Sequence, residues 1–124
     1  MPEALSSISS AAFSILIVED EAMIAMMLEE YLDALGHSVM GSAANIEEAF
    51  SLLESGTPDL AILDCYLGSD EIWPVADILM ERNIPLILSS GGSISALPDR
   101  YVSCPMLQKP YTIGALSRVL EHIS

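Results

Sequence analysis

Two apolar runs of strand length, each ending in acidic residues, constrain the fold of this chain more than any other feature. Residues 13–18 lead directly into Glu19 and Asp20, and residues 59–63 lead into Asp64. Continuous apolar runs rich in isoleucine, leucine and valine are typical of strands that are buried on both faces of a parallel sheet. A carboxylate that closes such a strand is costly unless it is paired, so these three acids are candidates for a functional site.

Strand-length runs alternate with amphipathic stretches along the chain. The pattern predicts helices over 22–35, 45–54, 73–82 and 112–122, and strands over 13–18, 38–42, 59–64, 86–89 and 104–108. Gly36 follows the first helix as a C-terminal cap glycine would, and Asn45 and Thr112 are suited to cap helix N-termini. Five strands that alternate with helices predict a single α/β domain with right-handed crossovers.

Three segments fall outside this alternation. Residues 1–12 are predicted to be a flexible lead-in to a domain over 13–124, and residues 66–72 are predicted to be a loop. Residues 94–97 can form about one helical turn before Pro98 interrupts it, because proline lacks the N–H that a helix needs. We therefore expect no regular long helix over 93–103.

The composition excludes several classes of function. The chain has 124 residues and a formal net charge of −14, so its surface repels the phosphates of nucleic acids and of anionic lipids. No run reaches the ~18 apolar residues of a membrane span, and the first 14 residues lack the lysine or arginine of a secretory signal. We expect a cytoplasmic domain that binds neither nucleic acid nor membrane.

The sulfur-containing residues are predicted to be structural. Cys65 and Cys104 lie on separate apolar runs, so we expect buried free thiols in a reducing compartment. Trp73 has two interpretations, a partner site if it is exposed or an anchor for its helix if it is buried. The methionines expected to fill the core are Met23, Met26, Met27 and Met80.

The charged and hydroxyl residues at the predicted strand ends form the candidate site. In open α/β sheets, ligands bind outside the carboxyl ends of the strands. With the strand order 2-1-3-4-5, which is borrowed from known doubly wound folds, the ends of strands one, three, four and five meet at one pocket. Besides the three acids, that pocket would contain Ser90 and Lys109, the only lysine in the chain.

The chemistry of this set favours phosphoryl transfer to a carboxylate. Three carboxylates in one pocket repel each other, and a hard divalent cation with open water positions, Mg²⁺ rather than a fully caged Ca²⁺, offsets the repulsion. Asp64 is then the nucleophile that forms an acyl phosphate. Lys109 adds a mobile positive charge on the opposite side, and the Ser90 hydroxyl can donate to a phosphoryl oxygen.

Four motifs, taken in order, resemble the receiver domain of two-component response regulators. They are residues 15–21 (ILIVEDE), 60–64 (LAILD), 84–91 (IPLILSSG) and 107–111 (LQKPY). The resemblance covers about residues 13–124 and implies a flavodoxin-like (βα)5 domain with a parallel five-stranded sheet of order 2-1-3-4-5. It also implies a Mg²⁺-dependent signalling module that accepts a phosphoryl group on Asp64 from a histidine kinase or a histidine phosphotransfer protein.

The resemblance also implies roles for the residues around the metal. Asp20 corresponds to the direct metal ligand, and Glu19 corresponds to its partner, which often acts through water. Asp64 is implied both as the phosphoacceptor and as a ligand. The backbone carbonyl of Tyr66, two residues beyond Asp64, is implied as a further ligand.

Two further roles concern the phosphoryl group. Counting from Pro85, Ser90 takes the place of the family's switch hydroxyl, and Ser89 is a close competitor for that assignment. Lys109 resembles the lysine that contacts the phosphoryl group and precedes a proline in cis linkage.

This chain departs from the family pattern in its downstream half. Met106 stands where receivers often have Tyr or Phe, so we expect no aromatic rotation as the readout of phosphorylation. The segment between Ser90 and Lys109 is short and rich in Gly, Ser and Pro, so the fourth helix is expected to be short or irregular. The loop over 67–77 resembles that of a subgroup of stand-alone receivers in alphaproteobacteria.

Three functions remain open on the sequence. The leading hypothesis is a signalling phosphoacceptor, not an enzyme beyond its own phosphorylation and dephosphorylation, with output by contact with an unknown protein target. An aspartyl-nucleophile phosphatase is a second, although Tyr66 stands where such enzymes usually have another acid. A degenerate receiver that binds partners without phosphorylation is the third, and the complete pocket argues against it.

Overall fold

Five strands and four helices alternate in the computed structural model, which describes residues 12–67, 70–91 and 98–123. The strands of the main sheet are β1 (Ser14–Val18), β2 (Ser38–Ala43), β3 (Leu60–Asp64), β4 (Leu86–Ser90) and β5 (Met106–Gln108). The helices are α1 (Ala22–Ala34), α2 (Ile46–Ser55), α3 (Trp73–Glu81) and α4 (Ile113–Ile123). The predicted lead-in over 1–12 lies, except for Ala12, outside the described residues.

All five strands are parallel, and their order in the sheet is β2-β1-β3-β4-β5. The predicted strand order is therefore confirmed. Val18 pairs with Leu63 across the centre of the sheet, and Asp64 pairs with Ser89 at the end of β3. This register places the carboxyl ends of β1, β3 and β4 side by side.

The core consists of one apolar layer on each face of the sheet. Leu16 and Val18 of β1 pack with α2 and α3 on one face. Ile15 and Ile17 pack with α1 and α4 on the other, which we call the α1–α4 core. Because successive side chains of a strand point to opposite faces, Glu19 continues the α1–α4 face.

The caps that the sequence predicts are present. The Asn45 side chain accepts a hydrogen bond of 2.8 Å from the Glu48 amide, and Thr112 accepts one of 3.1 Å from the Ala115 amide. Gly36 follows α1 with a φ of 91°, a left-handed conformation that glycine adopts without steric cost. These local signals set the starts of α2 and α4 and the end of α1.

The connections after β3 and β4 differ from simple loops. In the predicted loop over 66–72, Tyr66–Leu67 pairs antiparallel with Asp70–Glu71. The predicted helical turn over 94–97 lies outside the described residues. Beyond it, Pro98 has an extended ψ of 140° and a three-residue 3-10 turn, Asp99–Tyr101, follows. In residues 98–103, the part of this segment that the structure describes, the three-residue turn is the only helix, as expected for a short or irregular fourth helix.

Three of the four methionines that were predicted to fill the core are exposed, so the prediction is wrong for those three. Met23 is 83% and Met26 58% exposed, and Met80 is also exposed. The reason is that α1 buries Ala25, Leu28 and Leu32, at spacings of three and four, and so turns Met23 and Met26 outward. Of these four methionines, Met27 is the one that packs against the α1–α4 core.

Of the predictions for the cysteines and Trp73, one is wrong. Cys65 is a buried free thiol as predicted, but Cys104 is only half-buried, which corrects the expectation that both are buried. Trp73 is buried and stacks on Tyr101, so it anchors its helix and offers no exposed partner site. Within the described residues, none of the helices has the length and apolar character to cross a membrane.

Candidate phosphoacceptor site

Three carboxylates meet at the carboxyl edge of the sheet. Glu19 and Asp20 follow β1, Asp64 ends β3, and one oxygen of each lies within 4.8 Å of the others. Glu19 and Asp64 are buried, whereas Asp20 is exposed. The structure thus brings together the three acids that the sequence predicts, with an open side at Asp20.

Lys109 lies inside this cluster. Its ammonium is 2.8 Å from Oε1 of Glu19 and 2.9 Å from Oδ2 of Asp64. The sequence suggested a mobile charge on the opposite side of the pocket, but the lysine directly bridges the two buried acids. In this arrangement the ammonium compensates the repulsion between them.

Burial and charge shift the protonation of this pair. Burial raises the pKa of Glu19 to about 7, and the charge of Asp64 adds to this, while the hydrogen bonds from Lys109 and from the Glu21 amide oppose it. Burial also opposes the charged form of Lys109, but hydrogen bonds and attraction from Glu19 and Asp64 outweigh it and raise the lysine's pKa. Lys109 therefore stays protonated at neutral pH.

Backbone amides hold the remaining carboxylate oxygens. The Glu21 amide donates to Oε2 of Glu19 over 3.1 Å, and the Tyr66 amide donates to Oδ1 of Asp64 over 3.3 Å. In each buried acid, one oxygen contacts the Lys109 ammonium and the other accepts a hydrogen bond from a backbone amide. The orientations of both carboxylates are set before any ligand binds.

The donor set suits a hard divalent cation. Glu19, Asp20 and Asp64 offer only oxygen ligands, and the exposed side at Asp20 leaves room for water in the coordination sphere. Tyr66 lies beside Asp64, as its amide contact shows, and the role of its carbonyl as a ligand stays a prediction. The residues present therefore fit a metal of the Mg²⁺ type.

The two serines at the end of β4 occupy different positions. Ser89 pairs in register with Asp64, and Ser90 lies one residue further, where its carbonyl accepts a 2.8 Å hydrogen bond from the Lys109 amide. Both side chains are buried. The assignment of the switch hydroxyl to Ser90 rather than Ser89 stays a prediction.

The downstream half of the site contains both confirmed and missed features. The Lys109–Pro110 peptide bond is cis, as the resemblance implied. Met106 is exposed on β5 and occupies the position where receivers often have an aromatic ring. Sequence reasoning missed Glu21, whose carboxylate is 3.9 Å from the Lys109 ammonium, and Tyr111, whose hydroxyl is buried nearby. Glu21 belongs to the same acidic run as Glu19, and Tyr111 lies two residues after Lys109, so their positions in the sequence were the signal that could have identified them.

The fold and the site together define a receiver-type α/β domain. Residues 15–93, more than half of the chain, match the profile of the response regulator receiver domain. The chain belongs to this family, whose members function in two-component signalling. The resemblance to receiver domains and the fold class that it implied are thereby confirmed.

Individual relatives support the same family. The chain is 35% identical to the phyllosphere-induced regulator PhyR of Methylorubrum extorquens over 89% of its own length and 43% of that protein. It spans about half the length of the curated relatives it matches.

Among solved structures, SdrG from Sphingomonas melonis Fr1 superposes with a TM-score of 0.81 at 41% identity, covering 90% of this chain and 96% of SdrG. The BeF3-activated conformation of SdrG gives a TM-score of 0.77 at 39% identity, with 92% and 98% covered.

Proposed function

We propose that this chain accepts a phosphoryl group on Asp64 from a histidine kinase or a histidine phosphotransfer protein in a Mg²⁺-dependent reaction. The observation that carries the proposal is the contact of one ammonium, that of Lys109, with both Asp64 and Glu19 beside the exposed Asp20. Membership of the receiver family supports a role in signalling rather than in catalysis of metabolic reactions.

The transfer step follows from the positions of these groups. A carboxylate oxygen of Asp64 attacks the phosphorus of a phosphohistidine, an O–P bond forms, and the P–N bond breaks with the electron pair leaving on the imidazole. The Lys109 ammonium lies 2.9 Å from Asp64 and can shift its contact from the carboxylate to an oxygen of the transferred phosphoryl group. The Ser90 hydroxyl at the end of β4 is the proposed second donor to the bound phosphoryl group.

The acids of the pocket hold the metal in this proposal. Glu19, Asp20 and Asp64, with the Tyr66 carbonyl, would bind Mg²⁺. When bound, Mg²⁺ neutralises charge between the carboxylates and the incoming phosphoryl oxygens. Without it, the negative charges of the carboxylates would oppose the approach of the phosphoryl oxygens.

The phosphorylated form is read by contact with a protein target in this proposal. Met106 lacks the ring that would report the state of the switch hydroxyl in many receivers, so the signal leaves by another part of the domain. The expected cytoplasmic location also stays a prediction.

Incubation of the full chain with acetyl phosphate and Mg²⁺ tests the proposal by intact-mass measurement. We expect a gain of one phosphoryl group that requires Mg²⁺ and is absent from Asp64→Asn. Asp70→Asn, which neutralises an exposed acid in the neighbouring hairpin, is the matched control and should be phosphorylated like the wild type. No mass gain, or a gain that survives Asp64→Asn, would overturn the proposal.

The same samples separate the two rival functions. A phosphatase with an aspartyl nucleophile would turn over a phosphomonoester such as p-nitrophenyl phosphate, and we expect no Asp64-dependent release of nitrophenol. A degenerate receiver would show neither phosphorylation nor turnover, and the complete pocket argues against it.

A further inference from the structure

Of the four lysine and arginine side chains, that of Arg118 is the one whose charged group has no partner among the described residues. The other three, Arg82, Arg100 and Lys109, each contact a carboxylate or a backbone carbonyl. The chain has 18 acids, so a partner for every basic group would be easy to provide. The unpaired guanidinium therefore favours a partner on another molecule.

Arg118 lines an open groove between β5 and α4, which we call the β5–α4 groove. Two adjoining cavities of about 380 and 320 Å³ form it, and they share Met106, Arg118 and Val119. Ala115 lines the first cavity and Pro105 the second. The arginine thus lies where the two cavities meet, beside apolar side chains of both elements.

The groove is open because β5 is an edge strand, which pairs only with β4 within the described part of the chain. The helix α4 buries Leu116 and Leu120 in the α1–α4 core, so Arg118, midway between them in sequence, points outward. Met106 is 38% exposed, and Val119 is half-buried. Apolar surface and an unpaired charge are therefore accessible together.

The charge of the groove contrasts with that of the rest of the chain. Among the described residues, no acid lines either cavity, although the formal net charge is −14. The acid nearest to Arg118 in sequence, Glu121, is exposed on α4 but is not one of the lining residues. An acidic ligand is repelled by most of the surface, so its contact with the chain is directed toward this groove.

The groove fits a short peptide segment better than other anionic ligands. Nucleic acids and anionic membranes are bound by several basic residues together, and this groove contains one arginine. A second copy of the chain has the same net charge of −14, which opposes association. A guanidinium binds a single carboxylate through two parallel hydrogen bonds, and neighbouring apolar side chains of a peptide can cover Met106 and Val119.

We propose that the β5–α4 groove binds an acidic segment of a protein partner. In this complex, a carboxylate of the segment pairs with Arg118, and an apolar side chain beside it packs against Met106 and Val119. Aromatic residues, methionine and arginine are the residue types that interfaces favour, and the groove provides two of them. The inference goes beyond the proposed function and does not depend on phosphorylation of Asp64.

Selection of random peptides displayed on phage tests the proposal with the full chain as bait, after depletion of the library on Arg118→Glu. We expect the recovered peptides to combine Asp or Glu with Leu, Ile, Met or Phe. The affinity of a recovered peptide, measured by fluorescence anisotropy, should be weaker by about tenfold or more for Arg118→Glu, since a charge-assisted hydrogen bond is lost. Met106→Ala should weaken it by a smaller factor, and added salt should weaken binding to the wild type.

Arg82→Glu is the matched control. It changes the net charge by the same amount, but Arg82 follows α3 on the opposite face of the sheet from α4, where it contacts the Leu53 carbonyl. This variant should bind the recovered peptide with nearly the wild-type affinity. The same peptide with Gln in place of its acids should lose affinity for the wild type and should bind the wild type and Arg118→Glu equally.

Several outcomes would overturn the inference. They are the recovery of no peptides, the recovery of peptides without acids, and equal losses of affinity in Arg118→Glu and Arg82→Glu. Self-association of the wild type that Arg118→Glu abolishes, measured by light scattering, would assign the groove to a second copy instead. The proposed phosphorylation of Asp64 is tested by mass without any peptide, so either proposal can fail while the other stands.

Discussion

The ammonium of Lys109 lies 2.8 Å from Oε1 of Glu19, and both side chains are almost fully withdrawn from solvent, at 11% and 2% exposure. Glu19 is therefore neutralised by a residue that also holds Asp64. The only lysine of the chain serves as the internal counter-charge of the pocket.

Removal of this lysine should make the stability of the fold depend on metal. In Lys109→Met, Glu19 and Asp64 are left buried without compensation, so the free energy of unfolding should fall by about 3–5 kcal/mol. Mg²⁺, which binds only the folded state, should restore more of the stability of the variant than it adds to the wild type. Urea unfolding with and without Mg²⁺ measures this difference.

Arg118→Met is the control for this change, because it removes a positive charge from the exposed face of α4. Its stability and its response to Mg²⁺ should stay within error of the wild type. Equal responses of Lys109→Met and Arg118→Met would show that Lys109 does not act as the counter-charge.

Tyr101 should be a main support of residues 98–103, the described part of the segment between Gly91 and β5. It is fully buried, its ring is centred 5.3 Å from that of Trp73, and its hydroxyl is bonded to Asp77. Tyr101→Ala should lower the free energy of unfolding by about 3–5 kcal/mol, as large aromatic truncations do. Urea unfolding measures the loss, and phosphorylation of the remaining folded protein should persist.

Arg100 provides the contrast. Its guanidinium contacts both oxygens of Asp77, at 2.9 and 3.1 Å, but both side chains are about half exposed. Exposed ion pairs contribute little, so Arg100→Ala should cost about 1 kcal/mol or less. A loss as large as that of Tyr101→Ala would contradict this prediction and would mean that Arg100 contributes as much to stability as the buried ring.

Gly41 should accept a side chain only if the Leu52 side chain moves away. A Cβ at this position would lie 2.8 and 2.9 Å from the two methyl carbons of Leu52 on α2. Gly41→Ala should therefore destabilise the fold by about 1–3 kcal/mol, measured by the urea midpoint. In Gly56→Ala the nearest atom is 3.7 Å away, so this substitution should have a much smaller effect. Similar losses at both positions would contradict the steric argument.

His37 should make the anchoring of β1 sensitive to acid. Its Nδ1 accepts a 3.0 Å hydrogen bond from the Phe13 amide, and burial lowers the pKa of His37 below its usual 6.5. The folded chain then binds fewer protons at this site than the unfolded chain, so its contribution to stability is complete above pH 6.5 and is lost as the pH falls. Protonated Nδ1 also cannot accept the hydrogen bond.

The measurement is a comparison of wild type and His37→Gln by urea unfolding from pH 8 to pH 5. The raised pKa of Glu19 acts with the opposite sign, because the folded chain there binds more protons than the unfolded chain. Only the difference between the two proteins isolates the histidine, and the advantage of the wild type should shrink as the pH falls. An advantage that is constant over this range would contradict the prediction.

The helices, the strands and the edge of the sheet at which the site lies could all be predicted from the amino-acid sequence. Apolar runs such as 60–63 define buried strands by composition alone, and Asn45, Thr112 and Gly36 mark helix ends through contacts within a few residues. The acids and the lysine follow such strands directly. These features depend on neighbours in the chain, so local patterns were sufficient to predict them.

Contacts between side chains that are distant in sequence could not be predicted without the packed fold. Lys109 meets Asp64 across 45 residues of sequence, and this contact depends on the register of three strands. The outward orientation of Met23 and the buried hydroxyls of Ser89 and Tyr111 likewise depend on the packing of helices against both faces of the sheet. A hydrophobic pattern determines which face is buried, but the distance between two polar atoms arises only when all the elements are packed together.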